Sequence, residues 1–190
     1  MEAAVLSGGF SDPALQSARA FRAIMDAMAR PGRTYILDGG HGPDGLSRAA
    51  ASAVLTLCDP DTGLYLAPSH DTPDLRRWVT FHTSAPLVSQ SEASFALGAW
   101  DSLSPLDPYP IGTPEYPDRS TTLIVERAGL GDGVAVRLSG PGIETTQDAH
   151  LPDAGPFVRN AALYPLGVDA LFTSEDQVMA LPRSTQVEVL

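Results

Sequence analysis

Leu64-Tyr65-Leu66-Ala67-Pro68-Ser69-His70-Asp71-Thr72-Pro73-Asp74-Leu75-Arg76-Arg77-Trp78-Val79-Thr80-Phe81-His82 is the stretch that decides the fold class. Leu64, Tyr65 and Leu66 follow the turn Asp59-Pro60-Asp61-Thr62-Gly63 and predict a short apolar strand. Thr72 offers a hydroxyl to the free N–H groups of a new helix, and Pro73 takes the first position, where a missing N–H costs nothing. Leu75, Trp78, Val79 and His82 then recur three and four apart, which lays them on one helix face. A short apolar strand leading through a polar turn into a capped amphipathic helix is the building unit of an α/β sheet.

The pattern extends in both directions. On the N-terminal side Ser11 predicts a cap and Pro13 a first turn, and Phe21, Ile24, Met25 and Met28 keep helical spacing, with Leu15 and Ala18 extending the same side. Pro31-Gly32 ends that helix. Tyr35-Ile36-Leu37 predicts a strand, and residues 46–57, rich in alanine, predict a helix buried nearly all round. On the C-terminal side residues 86–88 suggest a short strand and 91–100 a fourth helix. Prolines 105, 108, 110, 114 and 117 then exclude regular structure over residues 104–117. Residues 120–125 and 134–139 predict two strands, joined as a hairpin by Gly131-Asp132-Gly133, with Gly140-Pro141-Gly142 closing the second. A helix at 157–163 and a buried strand at 168–173 precede a mixed tail. The sum is one α/β domain over residues 1–190 with a mixed sheet. There is no internal repeat, and 104–117 is the least unfavourable place for a linker.

The chain has 190 residues, 43% of them hydrophobic and 18% charged, which suffices for one substantial core. All 12 positive residues are arginine; lysine does not occur. A lysine Schiff base is therefore impossible, which excludes covalent pyridoxal phosphate (PLP) and lysine-aldolase chemistry. A GxxxxGK[ST] phosphate loop is excluded for the same reason. With 23 acidic residues the net charge is −11, and no basic run offsets it, so nucleic acid and anionic membranes are disfavoured as partners. Cys58 is the sole cysteine, so neither an intrachain disulfide nor a two-cysteine zinc site can form. Residues 1–10 lack the basic start and apolar core of a signal peptide, and the longest apolar runs fall far short of a membrane span. The expected location is the cytoplasm.

Chemistry-bearing patterns are sparse. His41, His70, His82 and His150 contain no pair spaced three or four apart, so no local metal site forms on a helix. A calcium loop begun at Asp59 would put Leu64 sixth and His70 twelfth, where glycine and glutamate are required. GxSxG and GxGxxG are absent, and Cys58, at the end of an apolar helix, suits a buried inert thiol. Anion binding remains. Arg30 and Arg33 flank a Pro-Gly turn, and Arg119-Ser120-Thr121 and Arg183-Ser184-Thr185 set arginine beside hydroxyls, a combination suited to phosphate or phosphonate oxygens. The same four arginines equally suit salt bridges with the acidic residues. A second candidate is the proline-rich loop, with Pro105, Pro108, Tyr109, Pro110 and Tyr116, because a pre-ordered loop loses little entropy on docking to a partner.

Seven segments, taken in order, resemble one family: residues 21–32 (ending Ala29-Arg30-Pro31-Gly32), 55–60 (Cys58-Asp59-Pro60), 78–83 (Trp78-Val79-Thr80-Phe81-His82-Thr83), 114–120 (Pro114-Glu115-Tyr116-Pro117-Asp118-Arg119-Ser120), 138–143 (Ser139-Gly140-Pro141-Gly142), 165–169 (Pro165-Leu166-Gly167-Val168-Asp169) and 181–185 (Leu181-Pro182-Arg183-Ser184-Thr185). Together they are similar to the PhnH family of the bacterial carbon–phosphorus lyase system for phosphonate use, over about residues 10–189. The resemblance implies a three-layer α/β/α domain with a mixed sheet, a degenerate relative of the PLP-dependent transferase fold. Without lysine, that fold would be kept without its cofactor. The resemblance also implies a part, with PhnG, PhnI and PhnL, in replacing the adenine of ATP by a phosphonate, the α-D-ribose 1-methylphosphonate 5-triphosphate synthase reaction. It implies a homodimer in isolation and, in the assembly with PhnG, PhnI and PhnJ, contact chiefly with PhnI. The nucleosidase chemistry falls to PhnI, so no catalytic, cofactor or metal residue carries over.

Two expectations follow. One is a non-catalytic assembly subunit that docks through the proline-rich loop. The alternative is a subunit that itself binds ATP, phosphonate or an intermediate, which requires Arg30, Arg33, Arg119 or Arg183 to converge in a pocket against the overall charge.

Overall fold

The structure, a computed structural model, describes residues 7–190; most of the segment read above for a signal peptide lies outside them. In chain order its strands are β1 (Thr34–Ile36), β2 (Leu64–Leu66), β3 (Phe95–Ala99), β4 (Thr122–Glu126), β5 (Val134–Ser139), β6 (Gln147–Leu151), β7 (Asp169–Ser174), β8 (Gln177–Leu181) and β9 (Gln186–Val189). Six of them form a mixed sheet in the order β1-β8-β7-β4-β3-β2, in which β2, β3, β4 and β7 run parallel and β8 antiparallel to β7 and β1. The inner strands are apolar on both faces because both faces are covered, whereas the edge strand β1 leaves Thr34 and Ile36 exposed. Leu66, Leu97, Ile124, Leu171 and Ala180 align in register across one face, and Ala96, Leu123, Ala170 and Leu181 across the other.

Among the described residues three helices cover the first face: α1 (Pro13–Ala29), α2 (Arg48–Leu57) and α3 (Pro73–Thr83). In α2 the side chains of Ala49, Ala50, Ala51, Ser52, Ala53 and Val54 are all buried, and their small size lets the helix lie close on β4 and β7. Ser52 satisfies its hydroxyl by donating to the Asp38 carbonyl at 3.0 Å and accepting from the Gly40 N–H at 2.9 Å. Thr72 caps α3 and Pro73 opens it, with Leu75, Trp78 and Val79 buried, as the sequence predicts. The second face is covered by two short helices, α4 (Trp100–Leu103) and α5 (Gly155–Ala161), and by a three-stranded antiparallel sheet in the order β6-β5-β9.

Several expectations are corrected. Residues 91–100 do not form a helix: Phe95–Ala99 is β3, a central strand between β2 and β4. Alanine, leucine and glycine suit either state by periodicity, and the slot inside the sheet decides; a Cβ on Gly98 would lie 2.5 Å from the Ala67 Cβ. Residues 86–88 contribute only a bridge between Leu87 and Leu64. The strands at 122–126 and 134–139 are not a hairpin, because β4 lies in the large sheet while β5 pairs with β6 and β9. Asp12, not Ser11, caps α1, accepting from the Leu15 N–H at 3.3 Å. The side of α1 read as one apolar stripe splits in two: Ile24 is buried with Ala20 and Ala27, whereas Leu15, Phe21 and Met25 are exposed. The second outer layer is not purely helical either, since the small sheet makes up much of it.

Candidate functional site

Arg183 follows β8, and the chain turns there because the Thr185 N–H returns to the Pro182 carbonyl at 2.9 Å. Its guanidinium meets Asp169, the first residue of β7, through Nε to Oδ1 at 3.1 Å and Nη2 to Oδ2 at 2.5 Å, and its backbone N–H also donates to Oδ1 at 2.8 Å. Nη1 donates to the Pro117 carbonyl at 2.5 Å, and Nη2 also bonds the Ser120 hydroxyl. Arginine has five N–H donors, and four are engaged here within the chain. Both ion-pair partners are only 13% exposed. The group ties the end of the proline-rich loop, the start of β7 and the turn after β8 into one knot at the amino ends of β4 and β7.

The other three candidate arginines do not join it. Arg30 pairs with Asp26 one helical turn back at 2.8 Å, in the open. Arg119 lies over the Tyr116 ring, 4.0 Å from its centroid. Arg33 makes no ion pair among the described residues and lines a polar cleft of about 110 Å³ with Thr145, Thr146 and Gln147. Arg183 edges a different cleft, open and about 410 Å³, walled by Met28, Tyr164 and the prolines 117, 141, 165 and 182. The turn between these clefts presses on the end of α1: a Cβ on Gly142, at φ +83°, would sit 2.1 Å from the Ala29 carbonyl oxygen.

The proline-rich loop is built into the molecule. Tyr109 is 3% exposed and packs edge-on against Tyr65, so it anchors the loop from inside the core and offers no surface to a partner. Ile111 bridges Ser120, the Thr121 N–H donates to the Pro110 carbonyl at 2.9 Å, and the Gly167 N–H donates to the Ile111 carbonyl at 3.0 Å. Pro105, Pro108 and Tyr116 remain exposed, and Pro110 is half-buried. Between this loop and α5 lies a mostly apolar cleft of about 320 Å³ lined by Leu106, Ile111, Pro156, Leu163 and Val168, with Asp107 and Arg159 beside it.

At the carboxyl ends of the parallel strands lies Glu126, the last residue of β4, which no sequence motif marks. Burial pushes its carboxyl up to about 7, although Ser47, the cap of α2, and Thr173 hydrogen-bond it and favour the ionised form. A single glutamate ending a strand has no sequence signature. Burial lowers the pKa of His70, whose Nδ1 lies 2.9 Å from the Ser69 hydroxyl. Cys58 is buried and its thiol is pushed up to about 12, chiefly by desolvation, so it stays protonated and unreactive. Among the described residues no group of three or more His, Cys, Asp or Glu is placed to hold a metal ion, and no helix is long and apolar enough to cross a membrane.

Comparison with known proteins adds an independent observation. The family described as bacterial phosphonate metabolism protein (PhnH) matches residues 8–188. The α-D-ribose 1-methylphosphonate 5-triphosphate synthase subunit PhnH of Rhizobium meliloti (strain 1021) is 36% identical over 192 residues, covering 97% of this chain and 96% of the relative. HtxG of Stutzerimonas stutzeri, named as a proposed C-P lyase subunit, is 31% identical over 177 residues, covering 90% of this chain and 85% of the relative.

Proposed function

The chain belongs to the PhnH family of bacterial phosphonate metabolism proteins, and on that premise we propose that it is a non-catalytic assembly subunit of the carbon–phosphorus lyase system. In this reading it is required for α-D-ribose 1-methylphosphonate 5-triphosphate synthase activity with PhnG, PhnI and PhnL, docks chiefly on PhnI beside PhnG and PhnJ, and forms a homodimer in isolation. Its domain is a relative of the PLP-dependent transferase fold kept without the cofactor. The observation that supports a non-catalytic role is the fate of the candidate arginines. Arg183 is engaged by Asp169, Pro117 and Ser120, Arg30 pairs with Asp26 and Arg119 lies over Tyr116, and none of the other three lines the cleft that Arg183 edges, so the four do not share one pocket.

Removing residues 104–117 would take Tyr109 out of the core, so docking through the loop is better tested at its exposed positions. Tyr116→Ala and Pro108→Ser should lower the yield of this chain copurified with its PhnI-family subunit while leaving the melting temperature unchanged. Undiminished copurification removes the docking role of the loop. Arg33 supports the second reading, because its side chain makes no ion pair among the described residues and lines a cleft with hydroxyls. Calorimetry with ATP and with methylphosphonate should give no heat on the isolated chain. Micromolar binding abolished by Arg33→Ala would replace the assembly reading with a ligand-binding one.

A further inference from the structure

Among the described residues the two sheets end in four edge strands, β1, β2, β6 and β9, and three of these meet other parts of the chain. At β2 the Leu64 N–H donates to the Pro86 carbonyl at 2.9 Å, and the Leu64 carbonyl accepts from the Val88 N–H at 3.1 Å. On β6 side chains cap two carbonyls: Arg127 Nη1 donates to His150 at 2.9 Å and Gln147 Nε2 to Asp148 at 3.0 Å. Helix α5 packs against β9. β1 is the exception. The Leu37 N–H donates to the Asp176 carbonyl at 2.7 Å, and bonded and non-bonded pairs alternate along an antiparallel ladder. Tyr35 therefore bonds β8, while Thr34 and Ile36 turn their N–H and C=O groups away from it. No second strand pairs with β1, and no other backbone group bonds Thr34 or Ile36 among the described residues. Ile36 is 57% exposed. Threonine, tyrosine and isoleucine are strong strand formers, and none is a charge or a proline that would blunt an edge.

Unpaired backbone groups call for an extended backbone as their partner, and the strand is complementary to itself. A second β1 laid antiparallel about a two-fold axis at Tyr35 sets Thr34 opposite Ile36 of the copy, Tyr35 opposite Tyr35, and Ile36 opposite Thr34. The outward N–H and C=O groups of Thr34 and Ile36 then bond one another. Their β-branched side chains, exposed in the single chain, cover each other. The tyrosines meet in the closer, non-hydrogen-bonded kind of pair, an aromatic match. No charge faces its like, because the paired residues are neutral. Arg33 and Asp38 flank the strand at opposite ends, so an antiparallel copy brings the Arg33 end of each chain to the Asp38 end of the other.

We propose that the free edge of β1 pairs antiparallel with β1 of a second copy of this chain, joining the two large sheets into one across a two-fold axis at Tyr35. The inference rests on the homodimer in the reading above and gives that homodimer its surface, on the far side of the large sheet from β2.

Ile36→Pro removes an outward N–H and spares the ladder to β8, which runs through Tyr35 and Leu37. In sedimentation the wild-type chain should be a dimer at micromolar concentration. Ile36→Pro should raise the dissociation constant at least about tenfold with little change in melting temperature. A second measurement does not depend on weakening the pair. Mild oxidation of Tyr35→Cys should link two chains by a disulfide on the axis, whereas Thr34→Cys should stay unlinked; Cys58 is buried and does not compete. A wild-type chain that is monomeric at this concentration overturns the inference, and its copurification with the PhnI-family subunit would leave the assembly reading standing. A dimer that survives Ile36→Pro and yields no link through Tyr35→Cys overturns the edge as its surface. An unchanged Ile36→Pro dimer that no longer copurifies with the PhnI-family subunit gives the edge to a different polypeptide, and overturns the second copy as occupant. Failure of the wild type to copurify, with the Tyr35→Cys link formed, overturns the assembly reading and leaves this inference standing.

Discussion

Glu126 shows what one position in a fold does to one side chain. It closes β4 at the carboxyl end of the sheet, half-buried beside the N-terminus of α2, and its carboxyl is pushed up to about 7 by desolvation. A carboxyl raised above its unfolded value of about 4.3 binds its proton more tightly in the native state. Its contribution to stability is therefore full below the unfolded pKa and is lost as pH rises through the native one. Between about pH 4.5 and 7 the wild-type chain should lose on the order of 2 kcal/mol from this group. Glu126→Gln should match the wild type in urea denaturation at pH 4 and exceed it by about that amount at pH 8. Equal stabilities at pH 8 would show that the carboxylate is well solvated when folded. At this scale the sequence was partly legible. Arg183 beside hydroxyls was visible as a candidate, but Asp169, fourteen positions away along the chain, was not, because only strand pairing brings the two together. Tyr109 looked like a contact residue for the same reason: a tyrosine among prolines gives no sign that it points inward.

Elements follow local chemistry except where the slot they occupy overrides it. The caps Ser47 and Thr72, the strand Leu64–Leu66 and the strand Val134–Ser139 lie where their residues place them. Residues 95–99 do not, since a short run of alanine, leucine and glycine carries no period, and the gap between β2 and β4 selects the strand. Helix α1 was legible as a helix, but its two apolar faces merged in sequence because positions three and four apart serve both. The loop between β3 and β4 keeps its shape through Arg183 as much as through its prolines. Arg183→Ala leaves the Asp169 carboxylate with only the backbone N–H of residue 183 and takes the guanidinium donor from the Pro117 carbonyl, in a nearly closed site, and should cost about 3 kcal/mol in chemical denaturation. Arg77→Ala, which removes an exposed pair with Asp74, should cost under about 1 kcal/mol. Similar losses from both would mean that the Arg183 knot is open to solvent.

Over the whole molecule the large sheet is shared by two cores. Leu97, Ile124 and Leu171 face the three helices, and Leu123, Ala170 and Phe172 face the small sheet and short helices. Neither core can lose its sheet without undoing the other, so unfolding should be a single transition, with far-ultraviolet and tryptophan signals superimposing in urea; Trp78 reports one core and Trp100 the other. Two separated transitions would divide the chain into independent units. The sequence by itself determined the α/β class, the positions of most strands and helices, the exclusion of lysine-borne cofactor chemistry and the acidic character of the chain. These are properties of residue type and short-range spacing. Only the tertiary structure decided that 95–99 is a strand, that β5 leaves the large sheet for a second one, that Arg183 is spent on Asp169 and that α1 turns Phe21 and Met25 outward. Each of these depends on which distant segments share a face, and periodicity along a chain carries no information about its partners in space.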